Sequence, residues 1–328
     1  MSNLLKQLRD SQKYADLDKL EKDIYISIDR LTVLLDSQRS LRKIFKELKA
    51  SLILHLSEFD IQENFSDDTF TLYKSIENDQ INIIFFQLSQ YGGFEVIRMD
   101  FNPNSLKEYH GESVWRQIIT YARLNHLEIR LSRLDLAFDI FNRPDILLLQ
   151  HIKGGVSHKV FYGRSGNIES KYWGASSSNI QVRLYDKNRE IISHKRAEKL
   201  NLQEKPYWWR LEFQLRTKAI NEETIAEIHN RLENFSFFTL ENIPPENKAF
   251  AYIFLNAPEM LEQLFPYLKP HTIVVKKGRL RKHFKKYNIS SFSNELQQHL
   301  REQTPRLNQE LKNLIGEFIE LKEKGNTK

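Results

Sequence analysis

Apolar residues in steps of two predict a strand over 24–33. The pattern then changes to helical steps, with Leu41, Ile44, Phe45, Leu48, Leu52 and Leu56 on one stripe. Three more alternating runs follow at close spacing, 69–73, 81–88 and 94–101, the last two joined by a turn at Tyr91-Gly-Gly93. Connections this short imply antiparallel pairing. A helix is predicted over 113–124, a long strand over 127–141, a short helix over 143–152 and a hairpin-like pair from 159–162 with 179–187. The stretch 189–200 reads as a helix and 208–216 as the last strand. This order predicts an α+β fold, a largely antiparallel β-sheet domain with flanking helices followed by a helical C-terminal region.

Beyond Arg216 the spacing is helical over 221–231, 245–256 and 257–268, and Lys269-Pro-His271 reads as a linker. Thr304 and Pro305 look like an N-cap and first turn. They open a stripe of Leu307, Leu311, Leu314, Phe318 and Leu321 at heptad-like steps, which suits packing on the chain's own helices or a homodimer contact. The expected organisation is a polar, helical N-terminal extension (1–22), a sheet domain (23–217) and a mainly helical C-terminal region (218–328).

Composition narrows the chemistry. The chain has 328 residues, 40% of them hydrophobic, enough for a sizeable core. Its net charge of +6 is mild, but much of the excess sits in Lys276-Lys-Gly-Arg-Leu-Arg-Lys-His-Phe-Lys-Lys-Tyr287, where cations alternate with Phe284 and Tyr287. A nucleic-acid partner fits that segment, and so does a solvated basic face. Cysteine is absent, which excludes disulfides, thiolate nucleophiles and Cys-based zinc sites. No apolar run reaches the roughly 18–20 residues of a spanning helix, and the N-terminus has no apolar signal core, so a soluble, cytoplasmic chain without a membrane partner is expected. None of the ten histidines lies two residues from another, and His-x-x-x-His and Glu-x-x-His spacings are missing too. Nucleophile-elbow, P-loop and dinucleotide glycine motifs are likewise absent.

What remains is phosphate-type chemistry. Alternation in Ile180–Lys187 and Trp209–Arg216 puts Arg183, Tyr185, Lys187, Arg210 and Glu212 on polar faces, opposite a complete apolar face. Taken alone, Tyr185 reads as a half-buried aromatic. With Arg183 and Lys187 on its face it becomes a candidate nucleophile beside groups able to hold a phosphate. In 131–140, Arg133, Asp135 and Asp139 share one face. Asp135 and Asp139 stand about 13 Å apart along a strand, too far to share one metal without a twist or bulge. One of them joined by Glu212 would make an oxygen site suited to Mg or Mn, while cross-strand ion pairs are the alternative.

Four blocks carry a family resemblance: Val96-Ile-Arg-Met-Asp-Phe-Asn-Pro103, Ser132-Arg-Leu-Asp-Leu-Ala-Phe-Asp139, Phe161-Tyr-Gly-Arg-Ser165 leading to Val182-Arg-Leu-Tyr-Asp-Lys-Asn-Arg-Glu190, and Arg210-Leu-Glu212. In this order they resemble the replication initiation factors of rolling-circle plasmids, the Rep_trans family, which includes relaxases of some integrative elements. The resemblance implies a metal-dependent nicking and joining enzyme. A tyrosine, here Tyr185, would attack a DNA phosphodiester at an origin hairpin and keep the 5′ phosphate, leaving a 3′ hydroxyl as primer. Arg183, Lys187 and Arg210 are expected as its supporting cations from the strand pattern, and the resemblance implies Asp135, Asp139, Glu212 and Glu190 as carboxylates for a divalent metal, Mg or Mn. It places origin-DNA contacts in the basic segment, at Lys276, Lys277, Arg279, Arg281, Lys282, Lys285 and Lys286, with a host helicase and polymerase as further partners. A relaxase of a mobile element, or a DNA-binding regulator of this fold without nicking, would share much of the pattern.

Overall fold

Long stretches of alternation become strands, and the turns between them bring distant strands together. The computed structural model describes residues 24–37, 40–55, 58–63, 67–76, 79–91, 94–141, 146, 149–151, 153, 155–164, 166–193, 208–216, 220, 224–237, 243–257, 260–286 and 291–315. The N-terminal extension predicted over 1–22 lies outside them. The elements are β1 (Ile24–Asp36), α1 (Leu41–His55), β2 (Asp60–Glu63), β3 (Thr69–Ile76), β4 (Asp79–Tyr91), β5 (Phe94–Phe101), α2 (Pro103–Glu108), α3 (Glu112–Leu124), β6 (Glu128–Phe141) and β7 (Leu149–His151). They continue as β8 (His158–Tyr162), β9 (Ile168–Trp173), β10 (Ile180–Asp186), α4 (Lys187–Ser193), β11 (Trp208–Arg216), α5 (Thr224–Leu232), β12 (Phe235–Phe237), α6 (Pro245–Asn256), α7 (Leu261–Leu264), α8 (Pro270–Lys286) and α9 (Ser291–Ile315).

Ten strands form one sheet in the order β2-β3-β4-β5-β1-β6-β11-β10-β9-β8, antiparallel throughout, and β7 pairs with β12 in a small second sheet. This is the expected α+β class. In β1 the apolar residues change phase: Ile24, Ile26 and Ile28 are buried, then Leu31, Val33 and Leu35. The register shift between Ile28 and Arg30 absorbs the extra residue as a bulge, and Asp29 stands at that bulge.

Several expectations are corrected. The pairing of 159–162 with 179–187 fails because β9 lies between β8 and β10. Lys171 occupies the inward side of β9, fully buried, where alternation would place an apolar residue. In the stretch predicted as a helix over 143–152, residues 149–151 form a strand, made by pairing with β12 far along the chain. Of the helix predicted over 257–268, the described residues keep one short piece, α7. Lys269-Pro-His271 is no linker, since α8 begins at Pro270.

Thr304 and Pro305 do not start a helix either. α9 runs through them, with the Thr304 hydroxyl donating to the Leu300 carbonyl at 2.7 Å. Pro305 is exposed, while Leu300 and Leu307 on either side of it are buried, and that packing keeps the helix continuous across the missing N–H. Leu307 and Leu311 of the predicted stripe are buried in the chain's own core and Leu314 packs against it. Phe318 and Leu321 lie outside the described residues.

Buried apolar residues fall into two groups. The first spans the sheet, α1, α3, α5, β12 and α9, with residues on both sides of 217. The second joins Ile243, Phe250 and Leu255 to Leu261, Ile273 and Leu280 from α7 and α8.

Candidate active site

In antiparallel strands, directly opposed residues share a face, so the register alone assembles the site. One row across the sheet reads Tyr25, Asp139, Arg210, Tyr185, Ser170 from β1 to β9. The next reads Ser27, Ala137, Glu212, Arg183, Tyr172. Above these rows a cleft of about 780 Å³ is lined by Asp29, Asp135, Arg183, Tyr185, Glu190 and Glu212 among others.

The acidic residues predicted as one group divide into two. Asp139 is completely buried and receives both Arg210 Nε (2.8 Å) and a second guanidinium nitrogen (2.9 Å), plus the indole N–H of Trp208 at 2.8 Å. The remaining arm of Arg210 donates to Asp29 Oδ1 at 2.6 Å. Burial lowers the guanidinium's proton affinity, but Asp139 and Asp29 more than reverse this and hold it firmly charged. This bidentate pair stands beside Tyr185 in the same cross-strand row.

Asp135 and Glu212 form the second group, nearly buried at 1% and 2% exposure. Arg133 Nε donates to Asp135 at 2.8 Å, and Arg183 bridges Glu212 and Asp135, the latter at 3.5 Å. Burial, with the charges of Asp29 and Asp135, raises the Glu212 carboxyl to about 7 despite Arg183. Arg183 in turn is held charged by Glu212 and Asp135 against the opposing effect of its own burial. The Tyr185 hydroxyl donates to Glu212 Oε2 at 3.2 Å. Burial pushes that phenol far up, Arg210 opposes the shift, and Glu212, Asp29 and Glu190 add to it. The hydroxyl therefore keeps its proton at neutral pH.

Lys187, predicted on the strand, instead opens α4, where Asp186 caps the helix by accepting from the Arg189 N–H at 3.1 Å. Its ammonium still lies 5.7 Å from the Tyr185 ring centroid and pairs with Glu190. Of the predicted α4 residues, 194–200 lie outside the described ones.

Among the described residues no group of three or more His, Asp or Glu is arranged to hold a metal ion. Asp139 has its oxygens committed to Arg210 and Trp208. Asp135 and Glu212 remain as an adjacent carboxylate pair whose mutual repulsion with Asp29 a cation would relieve, and Mg needs only one or two carboxylates with water and phosphate oxygens. Both oxygens of Asp135 already receive Arg133, and Glu212 receives Arg183 and Tyr185, so a cation would enter only by displacing these donors. Sequence reasoning missed Asp29 and Trp208. The phase slip in β1 was the available signal for Asp29, whereas nothing in a tryptophan at the start of β11 announces a bond to Asp139.

The basic segment forms α8, away from the sheet's core group. Lys276 Nζ donates to Asn247 Oδ1 at 3.0 Å and lies over the Phe250 ring, and Arg281 lies 5.2 Å from the Phe254 ring. Arg279 and Lys282 are exposed and Lys277 partly so. The side chains of Phe284, Lys285 and Lys286, and Tyr287 as a whole, lie outside the described residues.

No family model matches the chain. A Staphylococcus aureus replication initiation protein is 31% identical over 137 residues, 40% of each chain. A second protein of that name and organism is 29% identical over 164 residues, 49% of this chain and 48% of the relative. Over 40–49% of its length the chain is similar to proteins named replication initiation protein. It spans 40–48% of the length of these curated relatives. A solved rolling-circle replication initiator from Geobacillus stearothermophilus aligns with TM-score 0.40 and 18% identity, over 69% of this chain and 91% of that one. Among the described residues, no helix is long and apolar enough to cross a membrane.

Proposed function

We propose that this chain initiates rolling-circle replication by nicking and rejoining one DNA strand, with Tyr185 as the nucleophile. The observation that carries this reading is the Tyr185 hydroxyl hydrogen-bonded to Glu212 in a cleft bordered by Arg183. Similarity to replication initiation proteins supports the biological setting.

The Tyr185 oxygen attacks the scissile phosphorus in line, and its proton passes to Glu212, whose carboxyl near 7 makes it a base matched to neutral pH. The bond from phosphorus to the 3′ oxygen breaks, and that oxygen leaves as the 3′ hydroxyl by taking a proton from water. The 5′ phosphate stays as an ester of Tyr185. Once Glu212 is neutral, Arg183 keeps only Asp135 as an anionic partner and can face the phosphoryl oxygens as charge develops there. Arg210, locked by Asp139 and Asp29, acts from the neighbouring strand as a fixed positive field. Lys187 is a third cation at the Tyr185 ring. A divalent ion that displaced Arg133 from Asp135 would neutralise phosphate charge and leave Glu212 to act as the base. Rejoining is the reverse reaction, with a 3′ hydroxyl attacking the phosphotyrosine and proton return from Glu212.

The substrate is double-stranded origin DNA whose nick site is extruded as a single strand, with α8 as a second contact and a host helicase and polymerase acting afterwards. The test is incubation of the purified chain with supercoiled DNA carrying the cognate origin and Mg or Mn. Nicked circles and a covalent protein–DNA adduct are expected. Their absence, or equal nicking by Tyr185→Phe, would overturn the proposal.

A further inference from the structure

The sheet surface that carries Tyr185 continues past β10 to the edge of the sheet. Tyr185 is opposed by Ser170 of β9, and Ser170 by Phe161 of β8; in the neighbouring row Arg183 is opposed by Tyr172, and Tyr172 by Lys159. Phe161 and Lys159 therefore stand on the reactive face, two strand spacings or about 10 Å from Tyr185 and Arg183. Phe161 is 50% exposed and meets Tyr172 edge-on at 5.2 Å. Tyr172 in turn lines the main cleft.

A second cleft of about 530 Å³, lined by Tyr162, Gly163, Arg164, Glu169 and Arg189, adjoins the first and shares Glu169 and Arg189 with it. The paired Arg189 and Glu169 side chains lie so close over Gly163 that a Cβ there would overlap both. The bare backbone at this point lets the surface run on from one cleft to the other.

Exposed aromatics are costly on an edge strand, which otherwise invites misassembly. Flat rings interleaved with Lys159 and Arg164 match a chain of stacked bases joined by phosphates, because every base offers a π-face and every linkage a negative charge. We infer that the β8–β9 edge is a stacking platform for single-stranded DNA flanking the scissile phosphate, with Phe161 and Tyr172 taking bases and Lys159 and Arg164 the backbone. This inference rests on the proposed nicking reading, and it adds how the strand is held without sequence-specific contacts.

The test measures equilibrium binding of fluorescent oligothymidine of about 12 nucleotides, of an abasic oligomer of the same length, and of a duplex. The full chain carries Tyr185→Phe throughout, so no covalent step contributes. Phe161→Ala is expected to weaken oligothymidine binding by about fivefold or more while leaving abasic binding unchanged, and Phe161→Tyr to restore it. Equal oligothymidine binding by Phe161→Ala, or a loss on the abasic oligomer or on the duplex equal to that on oligothymidine, would overturn the inference. Covalent adduct formation by the chain with Tyr185 intact is read separately. Adduct without Phe161-dependent stacking sinks only the platform, and stacking without adduct sinks only the nicking reading.

Discussion

The hydroxyl of Tyr185 on β10 and the carboxyl of Glu212 on β11 are joined by a 3.2 Å hydrogen bond although their backbones are not directly opposed. Tyr185 faces Arg210 and Glu212 faces Arg183, so the bond runs on the diagonal between two arginines. A base placed this way supplies roughly 10²–10⁴-fold in rate. Glu212→Gln is expected to slow nicking by that range and keep DNA binding, whereas Tyr185→Phe removes the covalent adduct altogether. Single-turnover cleavage alongside binding of uncleaved DNA checks both, and unimpaired cleavage by Glu212→Gln would remove Glu212 from the role of base.

The same carboxyl predicts opposite pH trends for activity and stability. Glu212 titrates near 7 when folded, against 4.5 ordinarily. As a base it must be ionised, so nicking should rise as pH increases through about 7. The folded chain holds this proton more tightly than the unfolded chain. The associated stability is fully present below pH 4.5 and lost as pH rises through about 7, on the order of 3 kcal/mol. Glu212→Gln should flatten both trends. Nicking rates and urea midpoints over pH 5–8 measure them, and a variant that retains the wild-type pH dependence would refute the assignment.

Asp139 and Arg210 are expected to matter for folding more than for metal. Arg210 is 4% exposed and Asp139 fully buried, so Asp139→Asn leaves a buried guanidinium short of charge. Breaking such a pair costs about 3–5 kcal/mol. Arg210→Lys should be nearly as damaging, because an ammonium cannot serve Asp139 in two places and Asp29 as well. Manganese binding followed by electron paramagnetic resonance should weaken in Asp135→Asn but persist in folded Asp139→Asn. The reverse pattern would move the proposed ion to Asp139.

The difference between Asp135 and Asp139 marks how far the sequence could be read. Alternation along β6 placed both on the polar face, and it predicted the long strands and α1 well because each buries a complete apolar face. Alternation within one strand does not say what stands opposite. Only the register of β6 against β11 sets Asp139 against Arg210 and leaves Asp135 beside Glu212 and Arg183. The inner position of Lys171 broke the period that would have revealed β9, and β9 is what separates Phe161 from Tyr185. Pro305 failed as a boundary for a related reason, since burial of Leu300 and Leu307 outweighs the local signal.

The cations of α8 should separate into structural and DNA-facing sets. Lys276 and Arg281 lie on Phe250 and Phe254 of α6, and Lys276 also bonds Asn247, so they hold α8 to its neighbour. Lys277, Arg279 and Lys282 face outward to differing degrees. Each phosphate neutralised contributes about 0.9 to the slope of log affinity against log salt on duplex DNA. Replacing Lys277, Arg279 and Lys282 with alanine should reduce that slope by up to about 3 and leave thermal stability nearly unchanged. Lys276→Ala with Arg281→Ala should do the opposite, lowering the melting temperature with little change in slope. Binding titrations from low to moderate salt, with calorimetric melting of the same proteins, distinguish the two sets. An unchanged slope in the triple variant would mean that α8 does not lie on the DNA.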